Sequence, residues 1–166
     1  MAEYATRLEP LAGGDAELVF LGEVRTPWTD RSTCPKNGAE STATGRIVLK
    51  PRYRPGIASL ETVSHVIVLT WLDRASRDVI ALTPPTDVAR HGVFATRAPD
   101  RPNPIGLTVS EVVEIRADGL TVKGIDCLDR TPVIDIKPYF ASTDARPDAR
   151  VGWHEARARP LPPAGA

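Results

Sequence analysis

Three segments of this 166-residue chain are too specific in composition to be ordinary connectors. The first, HGVFATRAPDRPNPIG at residues 91–106, sets Arg97, Arg101 and Asn103 in a loop stiffened by Pro99, Pro102 and Pro104. A backbone held rigid in advance lowers the entropy cost of fixing a ligand, and guanidinium and amide groups suit an anion or a polar base edge. The same composition also describes a proline-braced turn whose arginines pair with Asp100 and other surface acids. The second segment, DCLDRTPVIDIKPY at residues 126–139, gathers Asp126, Asp129 and Asp135 beside Lys137 and Tyr139. Asp135 lies between Ile134 and Ile136, so in a strand it takes the opposite face from them. Read singly, Asp129 is a turn former and Asp135 a solvent-facing residue. Read together, the carboxylates, lysine and tyrosine make a hydrogen-bonding pocket wall.

A third stretch is basic. Arg46, Lys50, Arg52 and Arg54 surround Tyr53, with no acid among residues 46–54. Phosphate contact and base stacking use this composition, and so does a solvated loop. Other chemistries find no support. There is no G-x-S-x-G elbow for a hydrolase, no Walker A loop, and no G-x-G-x-x-G in a βαβ setting. Cys34 and Cys127 are far apart and lack ligand spacing to any histidine, which argues for two reduced thiols and no metal. His65 reads as a strand-end residue, while His91 and His154 have no evident partner.

The elements that must position these residues are short. Pro is 16 of 166 residues, about twice the roughly 5% usual in proteins, and it breaks helices by removing an N–H and clashing one turn back. A helical bundle is excluded. Strands are expected at 17–25, 45–50, 65–72, 78–83, 91–97, 105–115, 120–125, 133–136 and 151–156, with a helical turn over 57–61 that points Leu60 inward. The run HVIVLTWL at 65–72 is nearly continuous in apolar residues, the mark of a strand buried on both faces. In the long strand, Leu107, Val109, Glu111, Val113 and Ile115 share one parity, and Asp118-Gly119 signals the hairpin that follows. This pattern predicts a mostly all-β fold, a closed or partly closed barrel with short helical turns and not a Rossmann-like sheet. Residues 1–16 are expected to form a flexible lead, 17–156 the barrel domain, and 157–166 a disordered proline-rich tail.

Charge limits the partners. Twenty-one basic residues match 21 acidic ones, for a formal net charge of zero. A polybasic nucleic-acid coating protein is excluded, but a local basic face is not. No run reaches the ~18 apolar residues of a membrane span, and residues 1–10 show no apolar leader. The expectation is a soluble cytoplasmic protein.

At HGVFATRAPDRPNPIGLT (91–108) and DCLDRTPVIDIKPY (126–139) the sequence resembles the TsaA-like (YaeB/TrmO) family. LGEVRTPW at 21–28, and Leu60-Glu61 with Ser64-His65, add to the likeness, which covers roughly residues 18–140. The resemblance implies an S-adenosylmethionine-dependent methyltransferase on a β-barrel, acting on N6 of threonylcarbamoyl-adenosine beside the tRNA anticodon, and a homodimer with cofactor sites near the subunit boundary. Carried over by motif position, cofactor contacts fall on Asn37 and Gly38, Asp73 and Arg74, Arg97, Leu107, and Asp129, Arg130, Thr131 and Pro132. Arg130 stands where the family usually has glycine. Arg101, Asn103, Arg52 and Arg54 are then candidates for substrate binding, and Asp135 or Tyr139 for a place beside the acceptor, with Asp135 the better proton acceptor. Many bacterial members carry a further C-terminal domain, and this chain resembles the shorter, single-domain members. Methylation of another RNA or a small molecule, or a non-catalytic cofactor sensor, are the competing readings.

Overall fold

The computed structural model describes residues 5–7, 17–85 and 87–158. Six strands close into an antiparallel barrel: β2 (Gly22–Arg25), β3 (Thr44–Leu49), β8 (Gly119–Lys123), β7 (Ile105–Arg116), β4 (His65–Trp71) and β9 (Pro132–Pro138), which returns to β2. Closure leaves no free sheet edge, so every strand's backbone groups find partners within the ring. A separate three-stranded sheet of β1 (Ala5–Arg7), β5 (Val79–Leu82) and β6 (His91–Gly92) draws its last two strands from the long β4–β7 connection and has its own small core of Val79, Leu82 and Val93.

The barrel interior is filled by alternate residues. Val66, Val68 and Thr70 of β4 point in, and they meet Val24, Ile47, Leu120, Val122 and Val133 from the other strands. The opposite parity of β4, Ile67, Leu69 and Trp71, is only half-buried. Cross-strand from it stand Val109, Leu107 and Ile105 of β7, all exposed. The expectation of burial on both faces of β4 is therefore met on the inner face alone. A register shift between Val112 and Glu114 then turns β7, so that Ile115 packs against the core although it shares sequence parity with exposed Leu107.

Several local expectations change. The strand expected at 17–25 is confined to Gly22–Arg25, with Leu18 and Val19 exposed before it. The helical turn is displaced: 3-10 turns cover Pro51–Ile57 and Leu60–Thr62, separated by Ser59 in the left-handed region at φ 71°, and Leu60 does pack against the core. Residues 91–97 give two strand residues and then a 3-10 turn at Val93–Ala95. Residues 151–156, expected as a strand, belong to the helix α2 (Gly152–Ala158), which follows α1 (Ala141–Asp144). The Glu155 carboxylate accepts from Val151 N at 3.0 Å and satisfies an orphan donor of its first turn. Trp153 stacks on His91 at 4.3 Å instead of facing a neighbouring strand. Ala5–Arg7, inside the expected flexible lead, pairs with β5. Of the tail expected at 157–166, residues 157 and 158 end helix α2, and the rest lies outside the described residues.

Antiparallel closure puts the loops into two sets. Segments 26–43, 72–104 and 124–131 crowd one mouth of the barrel. Segment 50–64, the β7–β8 hairpin and the exit of β9 form the other. The seven residues of β4 separate the mouths by roughly 20 Å at ~3.3 Å per residue.

One buried polar atom in the barrel is unmatched. Ser110 is fully buried on the inner face of β7, and its Oγ has no hydrogen-bond partner among the described residues. Replacing it with alanine removes an unsatisfied hydroxyl, so Ser110→Ala is expected to raise the unfolding free energy by about 1 kcal/mol. Urea unfolding measures this, and a clear loss of stability would show that the hydroxyl is paired after all.

Candidate functional site

The first mouth is organised around Asp126. Its neighbours Ile125 and Cys127 are buried in the core, which pins the backbone and leaves the carboxylate to enter the loop cluster. There it accepts a short hydrogen bond from the Thr108 hydroxyl and another from Gly38 N–H, with the Arg97 guanidinium nearby. Burial raises the Asp126 pKa above its ordinary 3.8; the bonds from Thr108, the charge of Arg97 and the Gly38 amide oppose that rise in this order. Arg97 in turn donates from Nη2 to Leu107 O at 2.6 Å. One carboxylate thus ties together three separate segments of chain.

The approach of those segments needs glycine. A Cβ on Gly38 would stand 1.7 Å from Gly124 O, and Gly124 itself adopts φ +83°. Asn37 shapes the same turn, its Oδ1 accepting from Ala39 N at 2.9 Å.

The segment 129–132 is laced to the end of β2. Arg130 N donates to Val24 O at 2.8 Å, Val24 N donates to Thr131 O at 2.9 Å, and Asp129 Oδ1 accepts from Thr26 N at 3.2 Å. Arg130 has φ +66°, a left-handed conformation that costs a non-glycine residue ~1–2 kcal/mol. Its side chain is 71% exposed and lies 3.8 Å from Asp129, with Arg25 on the other side at 4.0 Å. The arginine is accommodated because it projects into solvent. Arg74 reaches the adjoining turn through Thr29 O at 3.3 Å, next to exposed Asp73.

Arg101 is differently engaged. It donates to the carbonyls of Ala98, Val93 and Thr96 at 2.6–3.0 Å and so braces the proline loop from within. Burial, then the neighbouring charge of Arg97, lowers its pKa. Asn103 remains exposed at the tip of that loop. Burial pushes the Cys127 thiol up to about 12, and Asp126 adds to the effect; burial and Asp126 raise Cys34 as well. Both cysteines are free and poorly ionised, so neither is a nucleophile.

The remaining candidates sit elsewhere. Asp135 is on the outer face of β9, across from Leu69, and Leu107 stands across from Leu69 on the other side. Two strand spacings of ~4.8 Å therefore put Asp135 about 10 Å from Leu107 on one surface. Its Oδ2 pairs with Lys137 at 2.6 Å, and its Oδ1 accepts from Ile136 N at 2.9 Å. Tyr139 lies at the second mouth, beside a groove of about 780 Å³ that it lines with Asp135 and Tyr53. Arg52 covers the Tyr53 ring at 5.2 Å, whereas Arg54 donates to Leu49 O at 3.2 Å and Arg46 pairs with Asp118 at 2.8 Å. Within the basic stretch Arg46 and Arg54 are thus tied to barrel groups, whereas Lys50 and Arg52 are exposed.

The structure gathers Asn37, Gly38, Asp73, Arg74, Arg97, Leu107 and residues 129–132 at one mouth, and sets Tyr139, Arg52 and Arg54 at the other. Sequence reasoning grouped Asp126 with the other two acids and gave it no special place. The signal lay in its two apolar neighbours, Ile125 and Cys127, whose burial turns the carboxylate toward Thr108 and Gly38. Among the described residues no group of three His, Cys, Asp or Glu is placed to hold a metal ion, and no helix is long and apolar enough to cross a membrane.

A closed six-stranded barrel with its polar loops clustered on one mouth defines a non-Rossmann binding domain. Residues 23–145 match the family described as the tRNA-methyltransferase O N-terminal domain, and the chain belongs to that family. It is 47% identical over 139 residues to a probable S-adenosyl-L-methionine-binding protein of Archaeoglobus fulgidus, covering 84% of this chain but 38% of that relative. A second protein of the same organism, an S-adenosyl-L-methionine-binding protein, is 42% identical, with 75% of this chain and 89% of the relative covered. Among solved structures, TrmO from Pseudomonas aeruginosa superposes with a TM-score of 0.70 at 35% identity, over 84% of this chain and 62% of the other. The barrel expected from the strand pattern agrees with that structure.

The raised pKa of Asp126 has a definite sign. Between the unfolded and folded values the native state holds the extra proton, so this group's contribution to stability is lost as pH rises through that interval. Asparagine keeps the acceptor oxygen and removes the titration. The melting temperature of Asp126→Asn relative to the original chain is therefore expected to increase as pH is raised from 4 to 7. A difference that shrinks over this range would mean that pairing with Arg97 outweighs desolvation.

Proposed function

We propose that the chain is an S-adenosylmethionine-dependent methyltransferase whose acceptor is N6 of threonylcarbamoyl-adenosine next to the anticodon of tRNA. The observation that carries this reading is the convergence of Arg97, Arg74, Asp73, Leu107 and the 129–132 backbone on one mouth. That donor set fits the cofactor's chemistry: guanidinium groups for a carboxylate, carboxylates for an ammonium or ribose hydroxyls, and the 46%-exposed Leu107 side chain for an apolar ring. Relatives described as binding S-adenosyl-L-methionine support the same choice.

When bound, the cofactor supplies an already activated methyl group, so the protein's task is orientation and water exclusion. Asp126 fixes Arg97 and Gly38 so that the anchoring groups need no rearrangement on binding. An amide-like N6 must also lose its proton. Asp135 is the proposed acceptor of that proton, because it shares the outer surface with Leu107 and Lys137 keeps it in place. Arg130 adds positive charge at the rim that faces RNA phosphates, and exposed Asn103 is offered to the same substrate.

A homodimer belongs to the same proposal. The exposed apolar row Ile105, Leu107 and Val109, together with half-buried Ile67, Leu69 and Trp71, covers a strand whose sequence signals burial on both faces. A second copy of the chain would supply the missing cover, beside the cofactor mouth. The proposed setting is the cytoplasm, where tRNA is modified.

Transfer of label from the cofactor to tRNA that bears threonylcarbamoyl-adenosine, and none to tRNA that lacks it, is the expected result, with sedimentation reporting a dimer. Transfer to both RNAs would move the acceptor elsewhere. Tight cofactor binding with no transfer to any RNA would leave a sensor.

A further inference from the structure

A groove opens at the second mouth of the barrel, opposite the loops proposed above for the cofactor. Its volume, about 780 Å³, is of the size that takes an organic ligand. Its floor is apolar, formed by Leu21, Ile57, Leu60, Val63 and Ile136 where they cap the barrel core. Three aromatic rings, Tyr53, Tyr139 and 59%-exposed Phe140, line it. This is a third of the nine aromatic residues in the chain, in a protein otherwise poor in them.

The charges around the groove are mainly positive. Arg52 lies over the Tyr53 ring, Lys137 flanks Asp135, and Lys50 is exposed at the start of the loop; Glu61 is the opposing acid on that loop. Asp135 at the groove wall is paired with Lys137, so its charge is offset there. Ser59, on the lip, is one of only two non-glycine residues with positive φ among the described residues. Strain held at a cavity edge is a feature of binding sites.

We propose that this groove binds an unstacked nucleobase of an RNA strand. The base stacks against Tyr53 and Tyr139, and Arg52 meets a flanking phosphate. The charge and the aromatic rim favour a single-stranded nucleic acid over an apolar peptide, because stacking platforms set within a cationic rim match the alternation of base and phosphate. Cofactor loops and groove are at opposite mouths, so a base held in the groove is a second point of recognition on the same RNA. This inference rests on the tRNA reading, and it adds where the RNA is held.

The test uses an anticodon stem-loop RNA carrying 2-aminopurine, titrated with the full chain while anisotropy and 2-aminopurine fluorescence are both recorded. Tyr53→Ala and Tyr139→Ala are each expected to weaken binding roughly tenfold and to relieve quenching of the fluorophore. Tyr53→Phe and Tyr139→Phe are expected to retain both, which separates stacking from folding. Arg52→Ala is expected to lower the slope of log affinity against log salt by about 1. Unchanged RNA affinity in both alanine variants overturns the groove, even where the chain methylates tRNA. Weakened RNA binding in these variants with no methyl transfer by the original chain upholds the groove and removes the enzymatic reading. An original chain that binds no RNA overturns both.

Discussion

A half-buried carboxylate holds the first mouth of this barrel together. Asp126 is drawn out of water by the core packing of Ile125 and Cys127, and desolvating a charge is costly unless partners replace the solvent. Thr108, Gly38 and Arg97 are those partners: Thr108 lies in β7, Gly38 in the β2–β3 loop and Arg97 in the β4–β7 connection. The need to satisfy one group therefore fixes the relative positions of the β2–β3 loop, the β4–β7 connection and the β8–β9 loop. The Gly38–Gly124 contact is a consequence of the same convergence, since any side chain there would hold the loops apart. Without this constraint three polar loops would fray independently. With it they form one preorganised surface.

The barrel separates two kinds of recognition. Strands that alternate direction deliver the polar, proline-braced loops to one end and the aromatic groove to the other. The outer face of β4 and β7 runs between them, apolar and exposed, with Asp135 at its border on β9. Zero net charge is compatible with this division, because Arg130 and Arg74 at one mouth and Arg52 at the other act locally.

Much of the architecture could be read from the residues. Period-two alternation and turn punctuation were enough for the barrel strands, because these strands differ strongly from their flanks. The failures have physical causes. Residues 91–97 keep only His91 and Gly92 in pairing with β5 before turning at Val93–Ala95, and residues 152–156 fold into α2 although Trp153 favours a strand. The apolar parity of β7 points outward at Leu107 and Val109 because the register shift near Val113 turns the strand, and no local pattern reports a bulge. The resemblance-derived candidates at the first mouth could be located as a group, since they share one set of loops. What stayed hidden was their dependence on Asp126, which arises from packing between residues 18 positions or more apart. The two-mouth division was equally invisible, because it follows from strand direction and not from spacing.

The most direct measurement of the central claim is amide hydrogen exchange, resolved by residue, with and without S-adenosylhomocysteine. The account expects slowed exchange at Gly38, Arg97 and residues 126–131, with residues 57–64 at the far groove unchanged. Slowed exchange at 57–64 with none at the Asp126 loops would contradict it.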